Sequence, residues 1–413
     1  MVVRLIEEAV NKIIGDKREV ISFINTTPWW GGNEFGYTFD DDGNVTYPTA
    51  NEIVGRTRWF MRNIIAQALG EDFSGIDEKY LKDLGTLNNK SKITVRVIKE
   101  RSDIEPYYFT KKEAACAFKK YLEMNKSICY NKDTLYSLSS LSPIYEYLMY
   151  FCILRFKLVH LGQNDPMFYY HNQAARPRSI RIKVEIINNG ASKEFFEFFK
   201  TSLIFTMKYM GIGRAATRGF GRFVPENQSE QSNLEKELKE VTSWLNYVIN
   251  KKIEPLKTEK INIPCLFDYK NNNFLLIYGQ NPIVYLIAIG NATLKVAWKR
   301  FKGKSYRDHG YKYHTWPLGL PRGQRGLGYF LEGDEDKEGR RISYITISPN
   351  CDGYRCEEIY LIPFIYKEEE ARKLRHRGKY DNEDKIVVKR EVSWYIENAV
   401  NQLKLILSGG RNA

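Results

Sequence analysis

No histidine precedes His160, and only five occur among 413 residues. Histidine is the commonest general base and the partner of most hydroxyl nucleophiles, so this scarcity weighs against hydrolytic or acid–base catalysis in the first half of the chain. Neither G-x-S-x-G nor H-E-x-x-H occurs, and Gly303-Lys-Ser305 lacks the glycine five residues earlier that a phosphate-binding P-loop requires. Cysteine is sparse: Cys116, Cys129, Cys152, Cys265, Cys351 and Cys356 are scattered. Only Cys351 and Cys356 lie close, and C-x₄-C without a second pair does not make a zinc site, so reduced thiols in a cytoplasmic protein are expected. No stretch of eighteen uninterrupted apolar residues is present, which argues against a membrane span. The opening MVVRLIEEAVNKIIG reads as an amphipathic helix carrying acids, without the plan of a signal peptide. Asp40-Asp-Asp-Gly-Asn44 has its glycine at the wrong offset for a calcium loop and reads instead as a hairpin turn between Tyr37-Thr-Phe39 and Val45-Thr-Tyr47. No metal or cofactor is expected.

What the chain does have is basic charge and aromatic side chains. The net charge is +13 and 14% of residues are aromatic. Hydrophobic content of 43% excludes a disordered chain, and the length suggests two domains, each with its own core. The charge is concentrated. From His171 to Pro225 there are ten Lys/Arg against three acids, and from Trp298 to Gly326 eight against one. Two compact basic windows fit a polyanionic partner better than even basicity would, and a scaffold touching only protein would leave them unexplained.

The first window ends in Gly211-Ile-Gly-Arg-Ala-Ala-Thr-Arg-Gly-Phe-Gly-Arg-Phe223, the most informative segment of the sequence. Gly211, Gly213, Gly219 and Gly221 permit positive φ and close backbone approach, while Arg214, Arg218 and Arg222 supply planar donors for phosphate oxygens. With Thr217 and Phe220 they form a candidate nucleic-acid site, in which the loop backbone is expected to approach the ligand and Phe220 to stack a base. Gly211-x-Gly213-x-x-Ala216 imitates a dinucleotide-binding fingerprint, but that motif needs a strand before it and a helix after it. Here 193–210 reads as a helix and GFGRFVPE as a short strand, so a nicotinamide or flavin site is rejected.

Organisation follows from periodicity. The polar run Glu226–Asn233 forms a seam, and Leu234, Leu238, Val241, Leu245 and Val248 then recur at helical spacing, so domains of 1–230 and 231–413 are expected. In the first, 20–27, 92–100 and 179–187 read as strands and 51–69 as a helix. In the second, 259–267, 274–279, 341–349 and 357–366 read as strands, with helices over 283–301 and 392–407. Each half suggests strand–helix–strands–helix–strand, giving an α+β protein of two ferredoxin-like domains, the arrangement that RNA-recognition (RRM) modules also use.

Further cationic constellations accompany the glycine segment. On the 51–69 helix, Ile53, Phe60, Met61, Ile64 and Ala68 form the apolar face, while Arg58, Trp59 and Arg62 share an arc on the other side, suited to phosphates or to stacking. Trp29 and Trp30 lie between a proline and two glycines, with at least one ring in the core. Arg176 and Arg178 flank Pro177, which is expected to hold them extended along successive phosphates; a solvated loop is the alternative. Trp316-Pro-Leu-Gly-Leu-Pro-Arg-Gly-Gln-Arg-Gly326 repeats the glycine–arginine–aromatic mixture in the second window, with Arg322 and Arg325 as candidate contacts.

These residues resemble a known family. GIGRAATRGFGRF looks like the G-h-G-x₅-G-h-G loop of the RAMP superfamily of CRISPR proteins. Thr27-Pro-Trp-Trp-Gly-Gly-Asn33 and Arg56-Thr-Arg-Trp-Phe-Met-Arg62 resemble motifs of the first subunit of the type III-B Cmr RNA-targeting complexes, with Thr57 and Phe60 departing from the commoner glycine and tryptophan. The likeness spans 20–225; beyond it only PLGLPR contributes. The resemblance implies a non-catalytic, cytoplasmic subunit that binds guide RNA (crRNA) toward its 3′ side, helps capture target RNA and contacts other Cmr subunits. It adds Trp30, Asn33 and Arg56 to the candidate RNA-binding residues. The alternative is a metal-independent RAMP endoribonuclease that processes CRISPR repeat RNA, for which His309 and His314, beside Tyr311 and Tyr313, are the residues to test.

Overall fold

The structure, a computed structural model, describes residues 18–31, 38–40, 42–70, 75–100, 174–226, 234–250, 273–274, positions within 282–293, 316–318, 328–331, 343–363, 374–377, 384–385 and 392–407. Asn33, Arg322, Arg325, His309, His314, the expected N-terminal helix and the strand at 259–267 lie outside the described residues. Contacts divide the chain into two units. The first comprises Met1–Pro106, Ala174–Arg214 and Phe220–Pro255; the second comprises Tyr107–Gln173, Ala215–Gly219 and Leu256–Ala413.

In the first unit, β1 (Arg18–Asn25) leads to helix α1 (Ala50–Leu69) through the expected hairpin turn, seen as a Phe39–Val45 bridge, in which Asp40 Oδ1 accepts from Asn44 N–H. Thr49 and Glu52 form a reciprocal capping box at the start of α1, and Gly70 ends it in the left-handed conformation. Short helix α2 (Ile76–Tyr80) precedes β2 (Ile93–Lys99). Then come β3 (Arg181–Asn188), helix α3 (Lys193–Phe205) capped by Ser192, a widened π-type turn over Thr206–Met210, and β4 (Phe223–Pro225). The four strands form one antiparallel sheet in the order β2-β3-β1-β4.

Alternation places Phe23, Ile182, Val184, Ile186 and Phe223 on the helix-facing side, where all are fully buried. Phe60 of α1 stacks on Phe205 of α3 with centroids 4.7 Å apart. The opposite face is a charge lattice: Glu185 is shared by Arg18 and Arg96, Lys183 pairs with Glu100 and Arg181 with Glu226. None of its outward strand positions among the described residues is aromatic. Helix α4 (Leu234–Ile249) packs on α3 and buries Leu234, Leu238, Val241, Leu245 and Ile249, and its Glu237 makes a nearly enclosed ion pair at 2.6 Å with Lys208 of the π-type turn that follows α3. Its stripe ends on Ile249 rather than Val248, in step with the 3.6-residue period.

In the second unit, β5 (Asn273–Phe274), β6 (Gly328–Leu331), β7 (Ile345–Cys351), β8 (Cys356–Pro363), β9 (Leu374–Arg377) and β10 (Asp384–Lys385) form two antiparallel sheets, ordered β5-β8-β7 and β10-β9-β6. Helix α5 (Val392–Leu407) coincides with the sequence reading, and its Tyr395 packs on the buried Trp316 at 5.4 Å. The described residues within 285–293 are helical. One expectation fails here. Cys351 and Cys356 are joined in a disulfide across the β7–β8 hairpin, because they occupy directly opposed positions with Cα atoms 4.0 Å apart. Sequence spacing alone did not place them in register. Among the described residues no helix is long and apolar enough to cross a membrane.

Candidate nucleic-acid interface

Three segments of the first unit converge where β1 ends. The exit strand Asn25–Gly31 pairs on one side with the glycine segment, through Thr26 N–H to Arg222 O at 2.8 Å, Gly221 N–H to Pro28 O at 3.0 Å and Arg214 N–H to Trp30 O at 2.7 Å. On the other side it meets residues 174–180, through reciprocal bonds between Trp29 and Ala175 at 3.0 and 2.8 Å. Asn25, fully buried, ties the corner. Its amide donates to Thr27 O at 3.0 Å and Arg176 O at 2.7 Å, and its Oδ1 accepts from Ile180 N–H at 2.8 Å. Sequence reasoning missed this residue, since nothing in a single sequence separates a buried organising asparagine from one at a solvated strand end.

The glycines serve the protein's own packing. Gly211 and Gly221 adopt φ of 65° and 61°. A Cβ at Gly211 would run into the Arg222 guanidinium, and one at Gly221 into the Ile212 carbonyl. The two glycine pairs are therefore laced together, with Ile212 N–H donating to Gly221 O at 3.0 Å. The space expected to admit a ligand's backbone at these two positions is filled by the protein itself. Gly213 lies against Trp30 O and the Trp29 ring, while Gly219, in the second unit, faces Pro349 and Leu286. Thr217 and Arg218, in the short 3₁₀ turn Ala216–Arg218, are half-buried in that second unit.

The cations separate into exposed and enclosed sets. Arg214 is exposed, its guanidinium 5.5 Å from the centre of the Trp30 ring. Arg176 and Arg178 are exposed as well, but the segment between them is a turn with Arg178 at φ 60°, not the extended run that Pro177 suggested. The hydrogen bonds from Asn25 impose that turn.

Several expected surface contacts are instead structural. Arg222 is 1% exposed; its Nη1 donates to Phe220 O at 3.0 Å, and burial, then the nearby Arg56 charge, push its pKa well down. Phe220 is fully buried, 6.0 Å from the Trp30 ring, and presents no face to a base. Trp29 and Trp30 both belong to the core. Arg58 donates to the Leu84 and Gly85 carbonyls and Arg62 pairs with Asp77, so both fasten α1 to the segment after it. The 100° arc correctly put them off the apolar face, but it could not reveal that residues 76–85 fold over that side.

Arg56 stands apart. Its guanidinium lies 4.4 Å from the centre of the half-buried Trp59 ring, and burial lowers its pKa to about 10. Part of the side chain reaches solvent, yet Nε and Nη2 are enclosed without a hydrogen-bond partner, as is Nε1 of Trp30.

Residues 23–224 match the model of the RAMP superfamily. No curated protein matches the chain. Among solved structures, it is similar to the apo crystal structure of Cmr1 from Pyrococcus furiosus, with 11% identity over 93% of this chain and 96% of that one and a TM-score of 0.44. It is also similar to chains in two cryo-EM structures of a type III-B Cmr-beta. One is bound to cognate target RNA (15% identity, 95% and 99% coverage, TM-score 0.45); the other is bound to that RNA and AMPPnP in the presence of ssDNA (13%, 95% and 99%, 0.47).

Proposed function

We propose that this chain, whose residues 23–224 match the RAMP superfamily model, is a member of that superfamily and a non-catalytic subunit of a type III-B CRISPR ribonucleoprotein that binds single-stranded guide RNA. In this reading it lies toward the guide's 3′ side, assists capture of target RNA and contacts other Cmr subunits. Both units are read as ferredoxin-like, the first on its β–α–β–β–α–β order and its β2-β3-β1-β4 sheet. Support for the Cmr assignment comes from the motifs around Trp30 and Arg56–Arg62.

The observation that carries the RNA reading is the gathering of Arg176, Arg178 and Arg214 at one end of the sheet. All three are exposed and held by a fixed backbone. Such a set follows a phosphate backbone without reading sequence, and specificity would come from base pairing by the guide. RRM-type binding across the sheet is disfavoured, because the open face carries ion pairs where stacking aromatics would be needed. Arg214 over Trp30 offers a guanidinium plane on which a base can stack.

The test is binding of end-labelled guide and repeat RNA by the purified chain without metal, read on native and denaturing gels. A salt-sensitive shift with intact RNA is expected. A discrete cut in the repeat RNA, lost on substitution of His309 or His314, would replace this reading with the processing nuclease.

A further inference from the structure

We propose that Asn25 is a positioning residue for RNA: it holds the turn that aims Arg176 and Arg178, and the backbone strain this turn imposes at Arg178 trades stability for affinity. The inference deepens the RNA reading and rests on it. Asn25 grips the turn along its whole length. Its Nδ2 donates to Arg176 O at 2.7 Å, and its carbonyl accepts from Arg178 N–H at 2.6 Å. Ile180 is bound on both backbone groups, its N–H donating to Asn25 Oδ1 at 2.8 Å and its carbonyl accepting from Asn25 N–H at 3.1 Å. Ser179 Oγ is a second donor to Arg176 O, at 2.6 Å. Anchored on a fully buried side chain, this network fixes the backbone from which both arginines project.

The conformation it enforces is unfavourable. Arg178 sits at φ 60°, left-handed backbone in which the Cβ of an L residue crowds the following carbonyl. Glycine takes that conformation freely and asparagine tolerates it, so either would serve a turn whose role is structural alone. An arginine held there with its side chain exposed serves an anion site, not stability. Placement agrees. Ala175 pairs with Trp29 on one side of the exit strand, and Arg214 bonds Trp30 on the other. At ordinary strand spacing the backbones bearing Arg176 and Arg214 are about 10 Å apart. The three cations therefore border one end of the sheet and suit a single polyanion.

The experiment uses the full chain and the variants Asn25→Ala, Ser179→Ala, Arg178→Gly, Arg178→Asn and Arg178→Ala. Single-stranded RNA is titrated at several salt concentrations, well below each melting midpoint, after circular dichroism verifies folding. Asn25→Ala and Ser179→Ala keep every arginine. They are nevertheless expected to bind about tenfold and about threefold more weakly, respectively. The salt slope of Asn25→Ala is expected to shrink by about 0.7 for each arginine that leaves the contact, a change that a purely structural residue would not produce. Arg178→Gly and Arg178→Asn are expected to melt about 2–4 °C above the parent, and Arg178→Ala with it, while all three lose affinity. Parent affinity and slope in a folded Asn25→Ala overturn the positioning role; should that variant not fold, Ser179→Ala decides in the same way. Arg178→Gly melting no higher than the parent, or Arg178→Ala gaining as much, overturns the strain. If the parent itself binds no RNA, the RNA reading falls and takes this inference with it. Binding by the parent that Asn25→Ala retains removes the inference alone.

Discussion

Burial draws the Arg56 pKa from its ordinary value down to about 10 because two of its nitrogens have left water without gaining partners. The sign of the linkage is fixed by that direction. The unfolded chain holds this proton more tightly, so below pH 10 the folded state bears the full penalty, and the penalty is relieved only as pH rises above 10. At neutral pH, replacing Arg56 with methionine therefore raises stability by about 1–3 kcal/mol, as removal of an uncompensated buried charge does, while RNA affinity falls. Thermal melts beside RNA titrations check it; a variant less stable than the parent contradicts it. Asn25 makes the opposite case. Asn25→Ala strips partners from three backbone groups around one corner and costs about 2–4 kcal/mol, measurable by denaturant titration. Both residues were present in the sequence, but only Arg56 was singled out, through its motif. The requirement that gives Asn25 its role comes from residues 151 and 155 positions away in the chain.

At the scale of elements, the reading by periodicity succeeded wherever local signals agree. The capping box at Thr49 and Glu52, the Ser192 cap and the polar–apolar alternation from Arg181 to Ile186 in β3 each mark their element by adjacent residues. It misplaced the roles of arginines because a helical arc identifies which side chains avoid the core, not which segment later covers them. Arg58 and Arg62 satisfied the arc and were then covered by residues 76–85. The glycine segment was legible as special, and its special need was internal closeness rather than an open cradle. Gly221→Ala is accordingly expected to cost about 2–4 kcal/mol, from its positive φ and the Ile212 carbonyl in its path. Unfolding midpoints test this, and an unchanged midpoint would mean that the two glycine pairs are not laced together. In the second unit, the Cys351–Cys356 link predicts that both thiols resist alkylation until a reductant is added, as peptide mass mapping would show. Free alkylation of the unreduced protein would remove the disulfide from the account.

At the scale of the whole molecule, the net charge of +13 acquires meaning from placement. Basic side chains on the open sheet face are largely neutralised by Glu185, Glu100 and Glu226. Those at the end of β1 are held apart by backbone bonds and stay exposed at Arg176, Arg178 and Arg214. Composition revealed the excess and its two windows, but not this division. A polyelectrolyte partner at that end releases counterions on binding, so affinity must fall as salt rises.

The most direct measurement is the salt dependence of single-stranded RNA binding by the parent chain and by Arg214→Ala, Arg176→Ala and Arg178→Ala. The account predicts a negative slope of log affinity against log salt, reduced by about 0.7 for each arginine removed. It also predicts that the loss is the same for every RNA sequence. A slope that none of the three substitutions changes, or binding that survives at full strength in high salt, would contradict the assignment of this surface to RNA.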